Sequence, residues 1–429
     1  MKAIFTAALG AIVATSLLAS CGPSTTRPEE DLAETETGED AADAEAMEAL
    51  KALPYLSYVP SDGDADSEDG VTRNDRERAW DGLNMYISIG GHHANLMDNT
   101  GAMVHRWQLP GDDVMGGPHT WYFAEPDADG SILLMQNFHE ESVLARISAD
   151  SEVVWMLREH DFHHDVDVAA DGTIYALTEG RREIDYDGER TPFRDNYITL
   201  LSPAGEIERQ LSIYDMMAAA EPPVLPKKAK TRLHKKLTEE RLFADDAPAQ
   251  GVCVFHTNTL ELIERTAAGP FAPGRALLAL NHFNLVVLVD LERAAIVWSW
   301  GGGHSPQLVH MPTLLDNDNV LFLENGFKTR EHSTVQEFDP VTGEVVWQYL
   351  GDPPESFFSH TRGSAQRLPN GNTLITESDR GRVFEITHDG DIVWEFVNTD
   401  YDDADRRRPI YRMMRLARAD VAAMGLIDR

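Results

Sequence analysis

AIVWSWGGGHSPQLVHMPTLLDNDNVLFL, residues 295–323, sets out one repeat of this chain: a strand that ends near a tryptophan, a glycine-rich link, a histidine, and a strand pair hinged on Asp and Asn. The same order returns as EVVWMLREHDFHHDVDVAADGTIYAL at 152–177 around His164, and as EVVWQYLGDPPESFFSHTRGSAQRLPNGNTLI at 344–375 around His360. Alternation with period two marks strands with one buried face. A unit of this kind recurring along a chain cannot bury that face alone, and radial stacking of such units is a propeller.

Working outward, the hairpins are counted by their turn and by the aromatic residue that ends the second strand. They are NLMDNTGAMVHRW to Trp107, VLARISADSEVVW to Trp155, TLLSPAGEIER to Arg209, VVLVDLERAAIVW to Trp298, VQEFDPVTGEVVW to Trp347 and VFEITHDGDIVW to Trp394. Each has Gly, Asp or Asn near its turn, as tight antiparallel connections require. The intervals 107–155, 298–347 and 347–394 are 48, 49 and 47 residues, the length of one four-stranded blade. The expected fold is therefore all-β, a six-bladed β-propeller of four-stranded antiparallel blades over residues 80–417. Its two edges need closing. The stretch from Gly82 matches that from Gly371 but lacks an innermost strand, and IYRMMRLARAD at 410–420, which overlays SHTRGSAQRLP at 359–369, supplies it. The ring is thus expected to close by pairing of N- and C-terminal strands.

The longer gap before Trp298 holds a helical insertion at about 215–250, whose segment EPPVLPKKAKTRLHKKLTEERLFADDAPAQ is proline-bounded and locally basic. It reads either as a lid that attracts anions or as a surface helix. Residues 1–20 are an apolar export signal ending Leu18-Ala19-Ser20-Cys21, similar to a bacterial lipobox. That similarity implies lipidation of Cys21, anchoring to a membrane, and an exported, periplasmic or outer-membrane location. With Cys253 the only other cysteine, lipidation of Cys21 leaves no pair for an intrachain disulfide. Residues 21–79 are acidic and poor in large apolar side chains, which gives a flexible tether; 418–429 read as a C-terminal tail. The chain carries 72 acidic against 37 basic residues and a formal charge of −35, which excludes nucleic acid as a partner.

Histidines recur at the openings of the inner strands. His164 and His310 fall ten residues before Ile174 and Val320, His119 and His360 about three residues earlier in their units, and His256 opens the inner strand of the inserted unit. Arg412, one residue past the position that this overlay sets against His360, is expected to complete the ring from the closing strand. The expected ring is five histidines and one arginine. Each histidine taken singly reads first as a structural residue, but five at one repeat position exceed what a strand end needs. Three chemistries use such a ring: metal ligation, nucleophilic catalysis by one neutral imidazole among charged neighbours, and anion binding. Only His163-His164-Asp165 offers a local pair of ligands.

HHDVDVAADGTIYAL, HTNTLEL followed by LNHFNLVVLVD, and above all HMPTLLDNDNVLFLENG resemble the three histidine motifs of the bacterial arylsulfotransferases, which do not use PAPS. The similarity spans roughly residues 80–415. It implies a cofactor-free six-bladed propeller that moves a sulfuryl group from an aryl sulfate donor to a phenolic acceptor by a ping-pong route. In that reading His310 is the transiently sulfated nucleophile, His164 and His256 are catalytic partners, and Asn258 helps to bind the sulfate. His163 competes for the role of His164, and His119 joins the substrate-binding set. The chain departs from the family at Leu280-Asn281-His282, where an arginine gives way to His282, and at Ser359-His360-Thr361-Arg362, where a small hydroxyl residue stands in the family. Arg362 or Arg412 then balances the lost arginine. Against this stand a non-catalytic envelope propeller that binds an anionic ligand or a protein partner, and a metal-dependent propeller enzyme.

Overall fold

The computed structural model describes residues 69–109, 121–138, 141–158, 160–238, 254–301, 308–326, 330–402 and 404–428. The signal segment, Cys21, Cys253, His119 and the part of the insertion beyond residue 238 lie outside them.

Six antiparallel sheets follow one another along the chain, and their inner strands come first in sequence in blades 2 to 6. Blade 2 starts at Trp121–Pro126, blade 3 at Asp161–Val168, blade 4 at Thr257–Ile263, blade 5 at Val309–Leu314 and blade 6 at Ser364–Arg367. Blade 1 is assembled from both ends of the chain. Leu83–Ser88, His93–Asp98 and Met103–Gln108 are its outer three strands, and Ile410–Leu416 is its inner one, paired Leu83 to Leu416 and Met85 to Met414. The six hairpins and the closure therefore stand as the sequence predicts.

Apolar residues on alternate positions pack between neighbouring blades: Leu83, Leu96 and Trp107 meet Ile132, Leu134 and Ala145, and the pattern is repeated around the ring. The repeated aromatic at the end of each outer strand has a second use. Its indole N–H donates to a backbone carbonyl of the next blade: Trp107 to Gly130, Trp155 to Pro203, Trp347 to His388 and Trp394 to Asn99, at 2.9–3.1 Å. Where the third hairpin ends in Arg209, its guanidinium donates to Leu291 and Glu292 in the turn of blade 4. In blade 4 the donor is Trp300, which bonds Gly343, and Trp298 two residues earlier packs on Phe271. All six seams carry such a bond.

Three elements extend the expected boundaries. Gly70–Asn74, inside the stretch expected to be tether, is a fifth strand on the outside of blade 6, paired with Ile392–Val397. Arg418–Ala423, in the expected tail, is a helix that buries Val421 beside Ile132 and Ile147. The middle hairpin of blade 3, Ile174–Tyr186 and Glu189–Leu201, runs well past the blade through an Asp187-Gly188 turn in which both residues have positive φ. The insertion contributes α1 (Ile213–Ala219), capped by Ser212, and α2 (Lys227–Thr238). Their apolar faces join blades 3 and 4 in one core that includes Phe255 and Phe283.

Candidate active site

Strand pairing skips a residue or more beside the inner strands of blades 1 to 5. Such bulges turn a side chain out of the pleat and re-aim it. Non-glycine residues take the left-handed region at or next to the bulges of blades 3, 4 and 5, His164 at φ 61°, His256 at 51° and Met311 at 52°, and Arg362, just ahead of the inner strand of blade 6, does so at 56°. This conformation is uncommon for side chains with a Cβ and tends to cluster at functional sites. It also breaks the expected equivalence of His164 with His310. In blade 3 the histidine itself takes the left-handed position; in blade 5 Met311 takes it and His310 precedes it.

His164, His256 and His310 come together, with His282 beside them. The rings of His164 and His256 lie 4.8 Å apart edge to face, and His256 stacks on His282 at 4.9 Å. His163 and His164 share an Nδ1 to Nδ1 hydrogen bond of 2.7 Å, but they face different ways. His164 senses His256, His310 and Arg362, whereas His163 senses Glu179, Thr178 and Arg194 within its own blade. This separates the two candidates: His164 is the central one and His163 its support.

Burial holds His164 and His310 neutral. It pushes His164 well below its usual range, with His256, His163, His310 and Arg362 adding to the effect. It lowers His310 to about 4, against the pull of the Leu308 carbonyl and the Asn325 side chain. The Nδ1–H of His310 donates to the Leu308 carbonyl at 3.3 Å, which fixes the tautomer and leaves Nε2 with its lone pair. Asn258 is buried, its amide donating to the Val309 carbonyl at 2.9 Å, so it clamps the backbone just ahead of His310.

The charge among these rings comes from Arg362. Burial works against its cation, and Tyr122 and Asp379 more than offset this; Tyr122 also accepts a hydrogen bond from it. Arg412, expected in the histidine ring, is instead tied to Glu125, faces Asp165 at 3.8 Å and covers the Phe123 ring. Its strand carries alternate side chains to opposite faces, and the residue that reaches the histidines is its neighbour Tyr411, whose hydroxyl donates to the His164 carbonyl at 3.0 Å. Tyr122 packs against Tyr411 at 4.5 Å. His360 packs on Phe358 at 4.0 Å, two residues from Arg362.

A tier of carboxylates lies along the same inner strands. Asp165 and Asp167 accept the Leu260 and Leu262 N–H groups of blade 4, and Glu261 accepts Leu314 N–H of blade 5. Burial raises Glu125 to about 8, Asp165 to about 7 and Glu261 to about 8. Among the described residues no three His, Cys, Asp or Glu side chains converge to hold a metal ion. Sequence reading missed Tyr122, Tyr411, Asn325 and this tier. Asp165 and Asp167, one and three residues after His164, were the available signal for part of the tier.

The family model for the arylsulfotransferases (ASST) matches residues 130–399. Among solved structures the chain is similar to a protein of unknown function from Bacteroides caccae, with 12% identity, a TM-score of 0.47 and coverage of 78% of this chain and 99% of that one. It is also similar to a streptogramin B lyase at 11% identity and TM-score 0.43, over 81% and 93% of the two chains. A virginiamycin B lyase from Staphylococcus aureus gives 11% and 0.38, over 67% and 72%. No curated protein matches. A match that spans well over half of the 429 residues and takes in His164, His256, His310 and Arg362 identifies this propeller as a member of the arylsulfotransferase family.

Proposed function

We propose that the protein transfers a sulfuryl group from a phenolic sulfate ester to a phenolic acceptor through a sulfated His310. The observation that carries this reading is the buried, neutral His310 with Nδ1 held by the Leu308 carbonyl and Arg362 as its nearby cation. A nucleophilic imidazole needs a free lone pair, and the three sulfuryl oxygens need a fixed positive charge. In the first half, Nε2 of His310 attacks sulfur, the S–O bond to the aryl group breaks, and the phenolate leaves with the electron pair. In the second, the acceptor oxygen attacks the sulfuryl-imidazole while its proton passes to His164, which burial keeps neutral and able to accept it. The new ester leaves, His310 recovers its lone pair, and the proton goes on to the released phenolate. His256 and His282 flank the sulfuryl group in this reading. The chain acts as an exported lipoprotein, held at a membrane by lipidated Cys21.

Incubation with 4-nitrophenyl sulfate in the absence of acceptor should leave one sulfuryl adduct on His310, read by peptide mass spectrometry, and addition of phenol should discharge it. His310→Asn should give neither adduct nor transfer. An unmodified His310, with no transfer to any of a panel of phenols, overturns the reading.

A further inference from the structure

Adjacent residues of a regular strand point to opposite faces of its sheet. His163 and His164 do not. The pairing of their strand with Ile174–Tyr186 slips between Ala176 and Thr178, His164 takes φ 61°, and the two rings meet edge to face at 5.0 Å with Nδ1 to Nδ1 at 2.7 Å. Between two neutral imidazoles such a bond has one N–H donor and one lone-pair acceptor, so each ring fixes the tautomer of the other.

The surroundings decide which ring donates. Nε2 of His163 is buried and has no hydrogen-bond partner among the described residues. After burial, the strongest influences on this ring are the Glu179 carboxylate and the Thr178 carbonyl, which favour positive charge on it more than Arg194 opposes it. A nitrogen in such company carries its hydrogen. His163 is therefore protonated on Nε2 and accepts at Nδ1, while His164 donates from Nδ1 and keeps the lone pair of Nε2. Around His164 the balance is reversed, because His256, His310 and Arg362 all oppose charge on it. A proton arriving there is better held one ring further out, where Glu179, itself bonded by Arg194 at 2.6 Å, supplies the negative charge.

We propose that His163 and His164 act as one base, in which His163 fixes the tautomer that presents Nε2 of His164 to the acceptor and takes up the Nδ1 proton of His164 when the acceptor's proton arrives. This rests on the sulfuryl-transfer reading and adds a positioning residue to it, since His163 touches no substrate and acts through His164. In the second half of the reaction the acceptor oxygen bonds to sulfur, and the S–N bond to His310 breaks with its electron pair returning to Nε2. The phenolic proton passes to Nε2 of His164, and the Nδ1 proton of His164 passes to Nδ1 of His163, which becomes an imidazolium. The reverse shift restores both rings when the proton leaves Nε2 of His164 for the phenolate released in the first half.

The test separates the two halves in the full chain, with His163→Leu and His163→Gln beside the wild type. Forming the His310 adduct from 4-nitrophenyl sulfate releases an anion and needs no base, so both variants should form it within about threefold of the wild-type rate. Phenol is un-ionised at pH ~8, and its discharge of the adduct should be about a hundredfold slower in His163→Leu. It should be about tenfold slower in His163→Gln, whose amide oxygen accepts the Nδ1–H bond but takes no proton. Discharge by pentafluorophenol, already ionised at that pH, should stay within about threefold of wild type in both. Variants that slow adduct formation as much as discharge, or slow both acceptors alike, show a structural role and overturn the inference. So does discharge by phenol at the wild-type rate in His163→Gln. A wild type that forms no adduct overturns the sulfuryl-transfer reading and this inference with it, whereas a normal adduct discharged without regard to residue 163 overturns this inference alone.

Discussion

In the sulfuryl-transfer reading proposed above, the protonation state of His310 decides whether the site has a nucleophile. With its folded pKa lowered to about 4 by burial, the imidazole keeps its lone pair across the ordinary pH range. The expected kcat/KM for sulfuryl transfer is flat in this group above pH ~5 and falls about tenfold per unit below ~4. A limb centred near 6.5 in the pH profile would mean that the ring titrates as in water and that burial does not activate it. A lowered histidine also acts on stability: the unfolded chain takes up the proton first, so stability is lost as pH falls from ~6.5 through 4. At this scale His164, His256 and His310 were legible because repetition singles them out, and Arg362 was legible only as one of two candidates. Tyr411 was not. Its partner is the His164 carbonyl, 247 positions away, and a backbone acceptor leaves no mark in composition or spacing.

Inner strands do two jobs at once, presenting site residues at bulges and latching each blade to the next through carboxylate to N–H bonds. The latch at Glu261 has a pH cost. Burial raises its folded pKa to about 8, so the folded protein retains a proton that the unfolded chain releases near 4.5. Stability from this group is therefore greatest below ~4.5, declines as pH rises to about 8, and levels off above it. Glu261→Gln keeps a carbonyl for Leu314 N–H and removes the ionisation. It should raise the thermal midpoint at pH 9 by roughly 1–2 °C for each kcal/mol relieved, and should change little at pH 4.5. Midpoints that differ from wild type equally at both pH values would show that the carboxylate does not titrate at the latch. Hairpins were legible at this scale because turn chemistry and alternation are local. The bulges were not, since one extra residue in a strand leaves the apolar pattern on either side intact; the seam donor of blade 4 is accordingly Trp300 rather than Trp298, the aromatic by which that hairpin was counted. Gly70–Asn74 was hidden for a related reason, as a five-residue strand next to a long acidic run shows no alternation of its own.

The whole molecule is held shut where its two ends meet. Arg415 on the closing strand forms a fully buried ion pair with Glu385 of blade 6, lies 4.5 Å from the Trp394 ring and bonds Asn84. Arg415→Met leaves the Glu385 carboxylate without its cation in the core and should lower unfolding free energy in urea by about 3–5 kcal/mol, while Arg415→Met/Glu385→Leu recovers most of the loss. No recovery in the double variant would show that the closure depends on the hydrogen bonds of Arg415 to Asn84 and Trp80 rather than on the pair. That the ends close the ring was legible because both fragments keep the repeat; the ion pair was not, since Glu385 and Arg415 sit in different units. The closing strand has one more consequence, and it concerns time. Ile410–Leu416 follows the other described strands in chain order, yet it brings Tyr411 to the His164 carbonyl and completes the first blade. A nascent chain can hold every histidine of the site and still have an open ring in which the His164 carbonyl lacks the Tyr411 hydroxyl. A chain cut before Ile410 would therefore keep every histidine of the site yet lack both the inner strand of blade 1 and the hydroxyl that holds the His164 carbonyl.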